Sequence, residues 1–367
     1  MTEQELSAYI QAIRPADEAA MEAARRRQAQ LAKPPGSLGQ LEEISIRLAG
    51  VTGQVCPAMG KCRVAVFAAD NGVVAEGVSC TPPAVTLQQA VNMTFRKTGM
   101  SAMAAAFGDD VSVVDVGIDG DVPPVGVLDR KVRRGTGDIA REDAMTRQQV
   151  LDAMAAGMEQ AARARADGVT ALGIGEMGIG NTTTSAAVLA ALTGADIEAV
   201  TGRGGGLTDE GFLRKKEVLR QALALHRPDG SDVIGVLAGV GGLDLAAMTG
   251  AFLGCAHERV PAAVDGFISI AAALCAVRLC PAVRDALFLS HDSYEVGYRI
   301  AAETLGLQPC LRLGMRLGEG SGCPLLFRVL EGACGVMRGM ATFGEASIED
   351  SYLDEIRAMD AFTVEAT

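Results

Sequence analysis

Apolar runs that do not alternate with polar residues recur along the chain, each ending near glycine or aspartate and each followed by an alanine-rich stretch. The runs are 63–69 (RVAVFAA), 111–117 (VSVVDVG), 168–174 (GVTALGI), 233–240 (VIGVLAGV), 260–264 (VPAAV) and 285–289 (DALFL). Unalternated runs of about four to eight residues suit strands covered on both faces, the condition of a parallel sheet. Helical spacing fills the gaps, for example at 146–166 and 182–193. Strands alternating with helices predict an α/β fold with right-handed crossovers, whose ligands bind beyond the carboxyl ends of the strands. Residues 2–31 read as a helix, with acids early and Arg25, Arg26 and Arg27 late, before KPPGSLG (33–39) breaks the pattern. The region from about 325 reads as two helices split near Gly344. The expected organisation is a large α/β domain over 32–324 and a small helical domain from 1–31 plus 325–367.

Composition narrows the function. Of 367 residues, 49% are hydrophobic and 21% charged, which excludes a disordered chain; the 44 glycines follow no G-X-Y period, which excludes collagen. With 4% aromatics and no tryptophan, the core must be built from Ala, Leu, Val and Ile. The net charge of −12 (33 basic, 45 acidic) is the wrong sign for a nucleic-acid binder. Arg25 to Arg27, beside Glu18 and Glu22, read as a solvated helix face, and Arg130, Lys131, Arg133 and Arg134 as an exposed loop. Nine cysteines without a C-x-x-C indicate neither a disulfide framework nor a zinc knuckle, and His226, His257 and His291 are too scattered to nominate a metal site. The N-terminus carries acids where a signal peptide needs a basic start, and Asp244 and Arg278 interrupt the longest apolar stretches. The expectation is a cytoplasmic protein with no membrane partner.

The segment 173–184 (GIGEMGIGNTTT) follows one expected strand and opens one expected helix. Glycine amides and a helix N-terminus there can face an anion, and Thr182, Thr183 and Thr184 can cap the helix and bond phosphate oxygens. Residues 173–178 also satisfy G-x-G-x-x-G, with Asp196 beyond, so a dinucleotide site competes, as does a turn needed only for packing. In 201–206 (TGRGGG), Arg203 is either a phosphate ligand or a partner of Asp209 or Glu210; Lys215 or Lys216 faces the same anion or lies on the surface. In 317–322 (LGEGSG), Glu319 is either a general base brought against a ligand or an exposed turn residue. Asp70, Asp265 and the 290–293 run (SHDS) also fall at strand ends. Ser, His and Asp adjacent in sequence cannot face one another as a triad, and no G-x-S-x-G is present, so a hydrolase is rejected.

Taken in order, KPPGSLGQLE (33–42), ADNGVVAEGVS (69–79), GIGEMGIGNTTT (173–184), TGRGGGL (201–207), VGGLDLAAMTGAFLG (240–254), VDGFIS (264–269), SHDSYEVGY (290–298) and MRLGEGSG (315–322) resemble the nicotinate-nucleotide–dimethylbenzimidazole phosphoribosyltransferase family over roughly residues 30–345. The resemblance implies a Rossmann-like parallel sheet flanked by helices, a small helical domain from both chain ends, and a homodimer. It implies attack of a benzimidazole-type base on C1′ of nicotinate mononucleotide, release of nicotinate and formation of α-ribazole 5′-phosphate for the cobalamin nucleotide loop. By motif, Glu319 is the general base. The phosphate and ribose are bound by Glu176, Gly178, Gly180, Asn181, Thr182, Thr183, Gly204, Lys215 rather than Lys216, and Ser293. The aromatic base meets Ser79 or Cys80, Gln88 and Leu317. A pyridinium leaving group needs no general acid, so neither metal nor cofactor is expected. Departures stand at Asn71, where the family commonly has His, at Tyr294 and Val296, and in the triple glycine after Arg203. They leave the accepted base open among dimethylbenzimidazole, benzimidazole, purines and phenols. An NAD-dependent oxidoreductase and a non-catalytic nucleotide sensor remain as alternatives, separable by nicotinate release.

Overall fold

The apolar runs become strands because both of their faces are covered: Val64 to Ala69 and Ala171 to Met177 are buried throughout. The computed structural model describes residues 1–357. The chain begins with α1 (Glu3–Ala12), α2 (Glu18–Gln30) and α3 (Gln40–Thr52), then enters the sheet at β1 (Cys62–Ala69). Next come α4 (Val85–Thr94), α5 (Gly99–Phe107), β2 (Asp110–Gly117), β3 (Val127–Asp129), α6 (Arg147–Ala166) and β4 (Ala171–Met177). The central helices are α7 (Asn181–Thr193), α8 (Ile197–Val200), α9 (Asp209–His226), α10 (Val233–Val240) and α11 (Leu243–Glu258). Then follow β5 (Ala262–Val264), α12 (Phe267–Leu279), β6 (Leu287–Leu289), α13 (Gly297–Leu305), α14 (Cys323–Gly339) and α15 (Asp354–Arg357).

Every strand pairing is parallel, in the order β3-β2-β1-β4-β5-β6. This is the doubly wound order, and its direction of winding reverses between β1 and β4, where a crevice opens at the carboxyl ends. Asp70 and Asn71 leave β1 there, beside the Gly178–Gly180 turn that leaves β4. The Asn71 amide donates to Ile179 O at 3.4 Å, and Asp70 accepts the Asp119 N–H at 2.8 Å. Asn71 thus ties two strand ends together.

Three local expectations are corrected. Residues 233–240 form α10, not a strand: the Asp232 carboxylate caps it through Gly235 N at 3.0 Å, and an unalternated apolar run does not itself separate a buried helix from a buried strand. The 2–31 helix is two, interrupted at Ile13–Ala16 where Pro15 lacks a donor and restarted by the Asp17 cap. The 168–174 strand lies three residues later, at 171–177, so Gly173, Gly175 and Glu176 are strand residues. β3 had no counterpart among the expected strands, and its three residues are too few for a periodic signal.

At the chain ends, Ala20, Ala24, Leu31, Ile46, Ala49 and Met337 form a satellite apolar cluster joining α2, α3 and α14. Leu31 makes an antiparallel bridge to Thr342, and Arg27 donates to Met337 O at 2.7 Å. Arg25 and Arg26 pair with Glu22 on the exposed face, as expected. Of the two C-terminal helices expected, the first is α14 and the second is the single turn of α15; the remainder of that segment lies outside the described residues. The KPPGSLG turn is fixed by a buried ion pair, Lys33 Nζ to Glu42 Oε1 at 2.7 Å, and Glu42 also accepts the Leu38 N–H. Removing one partner strands the other charge in the interior. Lys33→Met is therefore expected to cost about 3 kcal/mol, read as a lower urea midpoint at unchanged slope.

Candidate active site

The crevice holds a cavity of about 250 Å³. One wall is made by the turn from β4 into α7 and by the glycine loop 202–206. Gly178, Gly180, Asn181 and Thr182 line it, while Thr183 and Thr184 turn into the core, Thr184 Oγ1 donating to Asn181 O. Lys215, on α9 and 1% exposed, donates from Nζ to Thr182 Oγ1 at 2.9 Å and to Gly202 O at 3.1 Å. Burial presses its pKa down to about 8, against the pull of the Glu295 carboxylate. A buried ammonium, a helix N-terminus and glycine amides converge here, the equipment of a phosphate site. Arg203 lines the cavity but is paired with Asp209, and Lys216 pairs with Glu198 instead of entering.

The opposite wall carries Glu319, 5% exposed. Gly318, Glu319 and Gly320 all have left-handed backbones, with φ of 82°, 63° and 82°. For a glutamate this conformation costs of order 1 kcal/mol or more and persists only where neighbours enforce it. They do so with three hydrogen bonds. Asp265 accepts the N–H groups of Gly320 (3.0 Å) and Gly322 (2.7 Å), and Glu176 Oε1 accepts the Glu319 N–H at 3.3 Å. The loop lies directly on β4 at Gly175, where a Cβ would sit 2.6 Å from Glu319 O and Gly320 N. The carboxylate so aimed accepts the Met100 N–H through Oε2 at 3.2 Å, in the first turn of α5, where a helix favours an anion. Oε1 has no hydrogen-bond partner among the described residues.

Between the walls the Asn181 amide nitrogen bonds both Glu176 Oε2 and Asp244 Oδ2, the latter at 3.0 Å. Burial, and next the Asp244 charge, push Glu176 up to about 8; burial pushes Asp244 up to about 6 despite the Asn181 bond. Burial also raises Asp265, against the nearby His291. The folded protein thus keeps a proton on Glu176 that the unfolded chain gives up above its ordinary value of 4.5. Its contribution to stability is complete below that value and is lost as pH rises through about 8. Thermal melts of wild type are expected to fall over this window more steeply than those of Glu176→Gln.

The sequence over residues 13–348 matches the phosphoribosyltransferase family DBI_PRT. The chain belongs to that family. It is a phosphoribosyltransferase. Relatives named nicotinate-nucleotide–dimethylbenzimidazole phosphoribosyltransferase include one from Clostridium perfringens (strain 13 / Type A), 46% identical over 93% of this chain and 94% of its own. Another, from Geobacter metallireducens, is 46% identical over 94% of this chain and 98% of its own. A crystal structure of the Thermus thermophilus enzyme of that name superposes with a TM-score of 0.86 at 44% identity, covering 91% of this chain and 99% of that one.

Most of the transferase residues expected from sequence meet in this one cavity: Glu176, Gly178, Gly180, Asn181, Thr182, Gly204, Ser293, Ser79, Cys80, Leu317 and Glu319 line it. Lys215 stands just behind Thr182. Two do not. The Thr183 side chain is fully buried away from the cavity, and Gln88 is exposed on the outer side of α4, its neighbour Gln89 taking the wall. Asp265, left open between substrate and turn, organises the Glu319 loop. Asp244 and Glu295 were not singled out for chemistry, and only the fold brings them to Asn181 and to the glycine loop. The dinucleotide alternative loses its geometry. Gly173 and Gly175 lie inside β4 instead of in a tight turn, and Asp196 is an exposed cap of α8 bonding Glu198 N. The basic run is a loop, but only Arg134 of its four basic residues is exposed: Arg130 pairs with Glu159, and Lys131 reaches inward to the buried Asp115 and to the Ile118 and Gly120 carbonyls, so the exposed-loop reading is corrected. The nine cysteines are free thiols, six of them buried. Among the described residues no helix is long and apolar enough to cross a membrane.

Proposed function

We propose that the protein transfers the phosphoribosyl group of nicotinate mononucleotide to 5,6-dimethylbenzimidazole or a related base. The observation that carries this is the placement of Glu319: a buried carboxylate, anchored by one oxygen and with the other uncommitted, across a cavity from a phosphate cradle. In this scheme Thr182, Lys215, Gly178, Gly180 and Gly204 hold the 5′-phosphate, with Ser293 beside them. The unprotonated ring nitrogen of the base forms a bond to C1′ as the C1′–pyridinium bond breaks, and that electron pair neutralises the departing nicotinate nitrogen. Glu319 Oε1 takes the N–H proton from the other ring nitrogen, so no positive charge remains on the product. Attack opposite the leaving group converts the β-riboside into the α-ribotide. Glu176 serves by holding the Glu319 backbone, and Ser79, Cys80, Gln89 and Leu317 frame the base. The same proposal takes 32–324 as the catalytic domain, 1–31 with 325–367 as a helical attachment, and a homodimer in the cytoplasm as the working form. Incubation with nicotinate mononucleotide and a panel of benzimidazoles, purines and phenols tests it. Free nicotinate should appear only when an accepted base is present; release independent of any base would mean a hydrolase instead.

A further inference from the structure

Glu295 has no part in the scheme above, yet it lies on the cavity wall in the loop between β6 and α13. Its carboxylate packs so closely on Gly202 that a Cβ there would overlap Oε2, which sets it directly against the glycine loop. Oε2 itself is buried with no hydrogen-bond partner among the described residues. The charges facing it are Lys215 from α9 and Arg316 from the Glu319 loop, and it forms an ion pair with neither. Arg203, on the glycine loop itself, is turned toward Asp209. An anion therefore already packs on the glycine loop and faces the buried ammonium that a phosphate would use.

We propose, resting on the phosphate site assigned above, that Glu295 is an internal competitor for the substrate phosphate. As a carboxylate it places its negative charge in the empty cradle, facing Lys215. When the phosphate enters, Glu295 takes one proton from solution, and its neutral carboxyl then donates to a phosphate oxygen. Two anions in one partly desolvated cradle repel strongly, and protonating the carboxylate removes that repulsion. Burial already moves this carboxyl upward from its ordinary value, opposed by Lys215, which makes the proton easier to acquire. Two consequences follow. Mononucleotide binding weakens as pH rises, and the phosphate-bearing product meets the same competitor, which promotes its release.

Calorimetric titration at neutral pH, in two buffers of different ionisation heat, counts protons taken up on binding. The ligands are nicotinate mononucleotide without an acceptor base and, as a control, nicotinate riboside, which has no phosphate. Wild type should take up protons with the mononucleotide and not with the riboside. Glu295→Gln keeps the shape of the side chain against Gly202 and removes its charge. It should bind the mononucleotide on the order of tenfold tighter with less proton uptake, and bind the riboside as wild type does. Unchanged or weaker mononucleotide binding by Glu295→Gln, an equal gain for the riboside, or no proton uptake by wild type would overturn the inference. Lys215→Met binding the mononucleotide as wild type does would instead overturn the phosphate site on which it rests.

Discussion

Replacing Glu319 by Gln is expected to lower kcat by about 10²–10⁴ while leaving the KM for nicotinate mononucleotide close to that of wild type. The amide oxygen of Gln can still accept the Met100 N–H, and the backbone bonds from Glu176 and Asp265 to this loop do not involve the side chain. The loop therefore keeps its left-handed conformation, and what is lost is the acceptor for the base's ring proton. Steady-state kinetics with both substrates varied separate the two parameters. Near-normal turnover would mean that the proton leaves by another route.

The second large effect belongs to Lys215. Its ammonium is buried with two hydrogen bonds, to Thr182 and Gly202, and carries a third donor that the proposed phosphate would take. Methionine fills the same volume without a charge, so Lys215→Met should fold and lose a charge-assisted hydrogen bond to phosphate. At about 1.5–3 kcal/mol, that is a rise of roughly 10- to 150-fold in the mononucleotide KM. The pH dependence carries a definite sign. Burial holds the lysine down to about 8, and only its charged form binds phosphate well. Affinity should be full below that value, fall as pH rises through it, and lose this component in Lys215→Met. An initial-rate series across pH checks the sign.

How much of this was legible in sequence differs from residue to residue. The parallel sheet could be read because doubly covered strands need unbroken apolar runs, and the winding reversal at β1 and β4 put the glycine turn and Asp70-Asn71 side by side. The same criterion misassigned 233–240, since burial on all sides erases periodicity in helices as well. Asp232 before that run was the available signal, as its carboxylate caps the helix. Glu319 stood out because a charge among glycines has little packing rationale. The glycines of 173–178 were misplaced by a three-residue shift of β4, which moved Gly175 from an anion-binding turn to the spot where the Glu319 loop touches the strand. Gln88 and Gln89 differ by one helical step of about 100°, enough to exchange solvent for cavity. Asp244 was beyond reach because its meaning depends on Asn181, 63 residues earlier in the chain.

In the proposed reaction, one carboxylate and one phosphate cradle transfer a ribosyl phosphate between two aromatic nitrogens. Proton NMR of the complete reaction, with 5,6-dimethylbenzimidazole as acceptor, follows both products at once. Nicotinate and an α-configured ribotide of the base should appear in equal amounts, with the phosphate retained. Nicotinate appearing with free ribose 5-phosphate, or a product of β configuration, would contradict it.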